Sequence, residues 1–82
     1  MAARSTPEDG DIVIREEVRD RRVVYVYVLH TAPGADQYLL RSREEAIAQA
    51  VIWAKRQQVR VWLTDEGYDF RLLEDFRVAR SV

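Results

Sequence analysis

The chain has 82 residues, a length that supports a single hydrophobic core. Hydrophobic residues make up 48% of the sequence and charged residues 33%, which is typical of a folded globular domain and not of a disordered chain. The lack of cysteine excludes disulfide bonds, thiolate catalysis and cysteine-ligated zinc sites. The 13 basic and 14 acidic residues give a net charge of −1, which counts against a dedicated nucleic-acid binder.

The sequence carries no signature of an enzyme, a metal centre or a membrane protein. His30 is the only histidine, so there is no histidine pair for a metal and only one histidine to serve as a catalytic base. No apolar run approaches the roughly 20 residues of a membrane-spanning helix, and residues 1–10 lack the apolar segment of a signal peptide. We therefore expect a non-enzymatic, cytoplasmic protein with no cofactor, no metal and no membrane contact.

The first third of the chain predicts a flexible arm followed by a β-hairpin. Residues 1–10 are small and polar and include a proline and a glycine, so we expect a loose arm. Residues 12–18 are rich in β-branched side chains, which favours an outer strand. A turn is expected at residues 20–22. Residues 23–29 alternate valine with tyrosine in an apolar run that is typical of a central strand.

The middle of the chain predicts a third strand and one helix. Pro33 and Gly34 favour a turn, after which residues 36–41 can pair back as a strand. Ser42 and Glu45 form a capping box, so a helix is expected over residues 42–58. The apolar residues of this helix recur at spacings of three and four and form the expected buried stripe, which consists of Ile47, Ala50, Val51 and Ala54.

Two further strands complete the predicted domain. Residues 59–64 and 68–73 alternate apolar and polar side chains around a turn at residues 65–67. A rival interpretation makes residues 69–80 an amphipathic helix. The order β-β-β-α-β-β predicts a two-layer α+β domain over residues 11–76, with one helix on an antiparallel sheet of four or five strands. Residues 77–82 are expected to form a C-terminal tail.

One helix covers only one face of such a sheet, so the other face is predicted to be open. If the valines of the second strand face the helix, aromatic and arginine side chains fall on the open face. The candidate partner-binding residues are Tyr25, Tyr27, Arg60, Trp62 and Arg71. Tyrosine, tryptophan and arginine are the residue types enriched at the centres of protein interfaces.

Three interpretations of the open face remain. In the first, the chain's own termini fold over it. In the second, which we favour, a second copy or another small protein binds it, because a small core benefits from association. In the third, the aromatic rings stack on the bases of single-stranded RNA, and the net charge of −1 disfavours this alternative.

Residues 27–57 resemble two groups of small bacterial proteins. One group consists of short domains of unknown function with a hairpin, an S/T-x-x-E-A-x-x-x-A helix and a following strand with an Asp-Gly-type turn. This match covers most of residues 23–75, and the residues that carry it are Ser42, Glu45, Ala46, Ala50 and Asp65-Glu66-Gly67. The other group is the HicB-like antitoxin domain, which is similar in its strand, Pro-Gly turn, strand and Glu-Glu-Ala helix. That resemblance implies a toxin as protein partner, and neither resemblance transfers a catalytic residue.

Overall fold

The computed structural model describes residues 6–19, 24–34, 36–65 and 69–77, which form one helix and five strands. In chain order the elements are β1 (Ile12–Arg19), β2 (Val24–Thr31), β3 (Asp36–Leu40), α1 (Arg43–Gln57), β4 (Arg60–Thr64) and β5 (Arg71–Asp75). The predicted α+β class and the order β-β-β-α-β-β are confirmed. Because residues 71–75 form a strand, the rival helical interpretation of this segment is wrong.

The five strands form one mixed sheet in the order β3-β2-β1-β4-β5. Neighbouring strands are antiparallel except β1 and β4, which pair in parallel from Ile12 opposite Val61 to Arg15 opposite Thr64. A parallel pair needs a long crossover connection, which here consists of β2, β3 and α1. The sheet is therefore mostly antiparallel, with one parallel pair that includes its central strand, β1.

Helix α1 begins and ends close to the predicted positions. The Ser42 hydroxyl accepts a hydrogen bond from the Glu45 amide at 3.4 Å, which caps the first turn. Gln58 ends the helix in the left-handed conformation, with φ at 56°, and its amide donates to the Ala54 carbonyl. The first turn carries acidic side chains and the last turn basic ones, an arrangement that complements the helix dipole.

The core lies between α1 and one face of the sheet. The helix contributes small residues to it, since Ala46, Ala50 and Ala54 are all fully buried. Of the predicted stripe, Ile47 and Val51 are only partly buried. Because alanine leaves room between helix and sheet, the strands fill this space with large side chains. The strand residues of the core are Ile12, Ile14, Tyr27, Leu29, Val61 and Leu63.

The side of β2 that packs against α1 is the opposite of the predicted one. Tyr27 and Leu29 belong to the core beneath the helix, so the valines that alternate with them lie on the other side of the sheet. The cause is the strand register. Ile14 of β1 pairs with Leu29 on one side and with Leu63 on the other, and paired residues share a face. Tyrosine and leucine are also larger than valine, so they fill more of the space between the sheet and the helix alanines.

Residues 6–10, which the sequence assigns to the N-terminal arm, make hydrogen bonds to the domain. The Gly10 amide donates to the Ala32 carbonyl at 2.7 Å, and the Ala32 amide donates to the Asp11 carbonyl at 2.9 Å. The division into arm, domain and tail stays a prediction. The predicted turn at residues 20–22 and most of that at residues 65–67 lie outside the described residues.

Substituting Ala50 by leucine tests whether small residues set the distance between helix and sheet. Ala50 is fully buried, so a leucine must displace the helix, and we expect a loss of about 1–3 kcal/mol in the free energy of unfolding. Ala48→Leu is the matched control, because Ala48 is exposed on the same helix. Urea unfolding measures both variants, and equal stability of the two would contradict the role assigned to Ala50.

Candidate interaction surface

The five residues predicted to bind a partner do not share one face of the sheet. Tyr27 faces α1, and Tyr25 lies two residues before it on the same side of β2. Arg71 pairs with a helix-facing leucine of β4. Arg60 and Trp62 alternate with the core residues of β4 and therefore lie on the opposite face. The prediction of one shared face is wrong because β2 presents its other side, whereas the binding role of each residue stays a prediction.

Most of these five side chains are buried. Tyr25 is 47% exposed and Arg71 is also exposed, whereas Tyr27 is 8% and Trp62 only 1% exposed. Arg60 is buried as well. A buried ring cannot stack on a base until its surroundings rearrange. The burial of Tyr27 and Trp62 therefore counts against the single-stranded RNA alternative.

Trp62 is enclosed by the side chains of Arg60, Phe70 and Asp11. The guanidinium carbon of Arg60 lies 4.8 Å from the centroid of the indole ring, within range of a cation–π interaction. The Phe70 ring approaches edge-on, with 6.5 Å between the ring centroids. The indole N–H donates to the Asp11 carboxylate at 2.9 Å. Trp62 is thus a packing residue of the face opposite the helix.

Asp11 provides the buried carboxylate that joins these residues. Its Oδ2 accepts hydrogen bonds from the Glu8 amide at 3.0 Å, the Arg60 Nε at 3.0 Å and the Trp62 indole at 2.9 Å. Its Oδ1 accepts from the Arg60 amide at 3.1 Å. A buried charge is tolerated when it is paired and hydrogen-bonded in this way. The carboxylate therefore joins the start of β1 to the start of β4.

The pKa of Asp11 lies below its usual value. Burial by itself raises this pKa, since it disfavours the charged form, but hydrogen bonds from Glu8, Trp62 and Arg60 and the charge of Arg60 outweigh the effect of burial. The ionised carboxylate consequently stabilises the fold at neutral pH. This contribution is lost as the pH falls through the pKa of the folded state.

Ion pairs extend this network to the end of β5. Glu8 Oε1 lies 3.6 Å from Arg60 Nη2, a buried nitrogen without a hydrogen-bond partner in the described part of the chain. Glu8 Oε2 lies 3.9 Å from Arg77 Nη1. Arg77 also pairs with Asp75 at 2.7 Å, and its hydrogen bonds lower the pKa of Asp75 to about 2. Because the Arg77 pairs are exposed, solvent screening leaves them little effect on stability.

A cleft of about 520 Å³ opens at the end of the sheet where α1 begins. Its lining combines both signs of charge and consists of Glu16, Arg43, Leu63, Thr64, Asp65, Asp69, Phe70 and Arg71. Glu16 of this lining accepts a hydrogen bond from the Tyr27 hydroxyl. The pKa of Tyr27 is raised by burial and by this hydrogen bond. The acidic and basic side chains offset one another, so the lining favours neither a simple anion nor a simple cation.

The two edge strands of the sheet differ in charge. Three of the five residues of β5 are charged, and charged side chains commonly protect a sheet edge from pairing with another chain. The middle residues of β3, Gln37, Tyr38 and Leu39, carry no charge. Leu39 is 55% exposed, Tyr38 is similarly exposed, and the two point to opposite faces of the sheet. Among the described residues no strand pairs with the outer edge of β3.

Sequence reasoning missed both Asp11 and the edge position of β3. Asp11 is an acidic residue directly before an apolar strand, and this pattern was the available signal. From the sequence we place only the start of the domain at Asp11, with no role for its carboxylate. The strand at residues 36–41 is predicted, but its position at an edge depends on the strand order. Neither the partners of Asp11 nor the strand order can be read from local pattern.

Replacing Asp11 by asparagine measures how strongly the buried carboxylate stabilises the fold. Asparagine keeps the shape of the side chain but removes the negative charge opposite Arg60. It also points an N–H donor toward groups that themselves donate to Asp11. We therefore expect a loss of roughly 3–5 kcal/mol in the free energy of unfolding at neutral pH. Asp9→Asn is the control, because Asp9 is exposed. Urea unfolding compares the two proteins. If Asp11→Asn is as stable as Asp9→Asn, the assigned role is wrong.

The effect of Asp11→Asn is expected to shrink in acid. An aspartate in the unfolded chain has a pKa of about 3.9, and the pKa of folded Asp11 is lowered. The stabilising contribution of Asp11 in the wild type therefore begins to fall below about pH 4 and is lost as the pH falls through the folded-state pKa. The variant has no carboxylate at this position to protonate, so it shows no such loss. Thermal unfolding from neutral pH into acid measures the difference between the two proteins. A difference that is independent of pH would contradict this account.

Comparisons with known proteins provide no family assignment. No family model matches the chain, and searches against curated proteins and solved structures likewise found no significant match. The helix of the described part is too short and too polar to cross a membrane. No group of three His, Asp or Glu side chains among the described residues is placed to hold a metal ion. The two family resemblances therefore rest on their sequence motifs and stay predictions.

Proposed function

We propose that the chain is a non-enzymatic protein-interaction domain that binds another polypeptide along the outer edge of β3. The difference between the two edge strands carries this proposal, since β5 is charged and the middle of β3 is uncharged, with Tyr38 and Leu39 exposed. An uncharged, apolar edge is a template for pairing with a further strand.

Binding at this edge uses both the backbone and the side chains of β3. The partner adds an extended segment to the sheet, and main-chain hydrogen bonds supply affinity. Tyr38 stands edge-on to Trp53 of α1, with 5.6 Å between ring centroids, so one face of the added strand meets an aromatic pair. Leu39 contacts the other face of that strand. A partner segment with apolar side chains on both faces is therefore favoured over a charged one.

The proposal keeps the interaction function predicted from the sequence but moves the contact from the sheet face to the sheet edge. The reason is that Trp62 and Arg60 are buried in the chain itself, where they are held by Asp11. The partner is either a second copy or a different small protein, as expected from the sequence.

Selection from a random peptide library tests the proposal even though the natural partner is unidentified. Peptides are selected on the wild type alone, and their affinity is then measured for the wild type and for Leu39→Lys, whose charge on the edge disfavours strand pairing. We expect the selected peptides to contain apolar residues and to change the amide chemical shifts of residues 37–40. Leu72→Lys is the matched control and should bind like the wild type, because Leu72 is an exposed leucine, 46% accessible, on the other edge strand.

Two outcomes contradict the proposal. One is the selection of peptides that bind the wild type and Leu39→Lys equally well. The other is a set of chemical shift changes centred on β5 or on the charged cleft and absent from β3. Circular dichroism of both lysine variants confirms beforehand that these exposed substitutions leave the fold intact.

A further inference from the structure

We infer that the cleft at the start of α1 binds a small zwitterion, a molecule with one ammonium and one carboxylate group, of which a dipeptide with free ends is the simplest peptide form. The site is separate from the strand edge of the proposed function, since none of the described residues that line it belongs to β3. The cleft measures about 520 Å³, which lies within the range of small-molecule pockets. It therefore has room for a dipeptide.

The cleft carries charges of both signs that do not pair with one another. Arg71 is the first residue of β5 and is exposed. It forms no ion pair in the part of the chain that the structure describes. Glu16 and Asp65 line the same cleft, and among these described residues neither carboxylate has an ion-pair partner. A ligand that carries both charges can pair with the arginine and with the carboxylates at the same time.

The strand register separates the two signs of charge across the cleft. Leu63 of β4 pairs with Ile14 of β1 on one side and with Arg71 of β5 on the other. Glu16 lies two residues beyond Ile14 on the same face of β1, and Asp65 directly follows β4 at the level of Glu16. Neighbouring strands lie about 4.8 Å apart, so the Cα atoms of Glu16 and Arg71 are about 10 Å or more apart. The acidic side of the cleft therefore lies at β1 and the basic side at β5.

Two further charges make the cleft unfavourable for a ligand of a single sign. Arg43 lies near Glu16, because its charge acts on the pKa of Tyr27, whose hydroxyl donates to Glu16. It repels a simple cation that approaches the acidic side. Asp69 lies two residues before Arg71 in the same lining and repels a simple anion on the basic side. A zwitterion places its ammonium at Glu16 and its carboxylate at Arg71, so each of its charges meets the opposite sign.

Tyr27 holds the carboxylate of Glu16 in place on the acidic side. Tyr27 is only 8% exposed and packs in the core beneath α1, and its hydroxyl donates to Glu16. A carboxylate that is already ordered loses less conformational entropy when an ammonium binds to it. Tyr27 is thus a positioning residue for Glu16 and does not itself contact the ligand.

Apolar side chains lie between the two charged sides. Leu63 occupies the position between Glu16 and Arg71 and is 9% exposed. Phe70 lines the same cleft, and its ring stands edge-on to Trp62. Apolar side chains of a ligand gain free energy by covering these surfaces. The lining therefore favours a dipeptide with apolar side chains, for which leucyl-leucine serves as the probe.

Four forms of leucyl-leucine test whether both charges of the ligand are recognised. They are the free dipeptide, the N-acetylated form, the C-amidated form and the form blocked at both ends. Titrations followed by amide chemical shifts give the affinity of each form. We expect the free dipeptide to bind most tightly and to lose about threefold to tenfold in affinity for each charge removed. The shift changes are expected at residues 63–65 and 69–71.

Two substitutions assign each charge of the ligand to one side of the cleft. Glu16→Gln is expected to bind the free and the N-acetylated dipeptide equally, because the partner of the ammonium is gone. Arg71→Gln is expected to bind the free and the C-amidated dipeptide equally, because the partner of the carboxylate is gone. Glu74→Gln and Arg56→Gln are the matched controls, since both residues are exposed and lie outside the lining. Circular dichroism confirms beforehand that all four variants are folded.

Several outcomes overturn the inference. One is equal affinity for all four forms, and another is the lack of any shift change up to the solubility limit of the free dipeptide. A loss of affinity on amidation alone identifies a simple anion site, and a loss on acetylation alone identifies a simple cation site, so either result overturns the zwitterion. Shift changes confined to β3 place the dipeptide elsewhere. The peptide selection at β3 decides the proposed function separately, whatever the dipeptide does.

Discussion

The rest of the fold depends on the buried carboxylate of Asp11, which joins two halves of the sheet that are distant in sequence. Strands β1 to β3 follow one another by short connections, whereas β4 reaches β1 only after the crossover through α1. Closing such a long loop costs conformational entropy. Asp11 offsets this cost at the point of closure, because it accepts hydrogen bonds from the Arg60 amide and side chain and from the Trp62 indole.

This parallel pair explains why the second face of the sheet is not an open surface. Parallel strands are normally buried on both faces, and all five residues of β4 are buried. Between the helix and the sheet, Tyr27 and Leu29 pack against the small alanines of α1. On the other face Trp62 is enclosed by Arg60 and Phe70. Both faces of the sheet centre are thus used for packing, so the side chains left for binding lie toward the edges.

The two edges of the sheet then differ in what they offer to another molecule. Strand β5 is charged and continues into the ion pairs of Arg77 with Asp75 and Glu8. Strand β3 exposes Tyr38 and Leu39, and Tyr38 contacts Trp53 of α1 edge-on. The charged edge resists pairing with a further strand, whereas the uncharged edge lacks this protection.

The sequence by itself determined the elements and their order. The capping box at Ser42 set the start of the helix, alternation marked the strands, and spacings of three and four placed Ala50 and Ala54 on the buried side of the helix. Alternation did not decide which side of β2 faces the helix, because residues 23–29 are apolar on both sides. The tertiary structure decided this through the pairing of Ile14 with Leu29 and Leu63. The partners of Asp11 and the edge position of β3 were decided in the same way, because each depends on pairing between residues far apart in the chain.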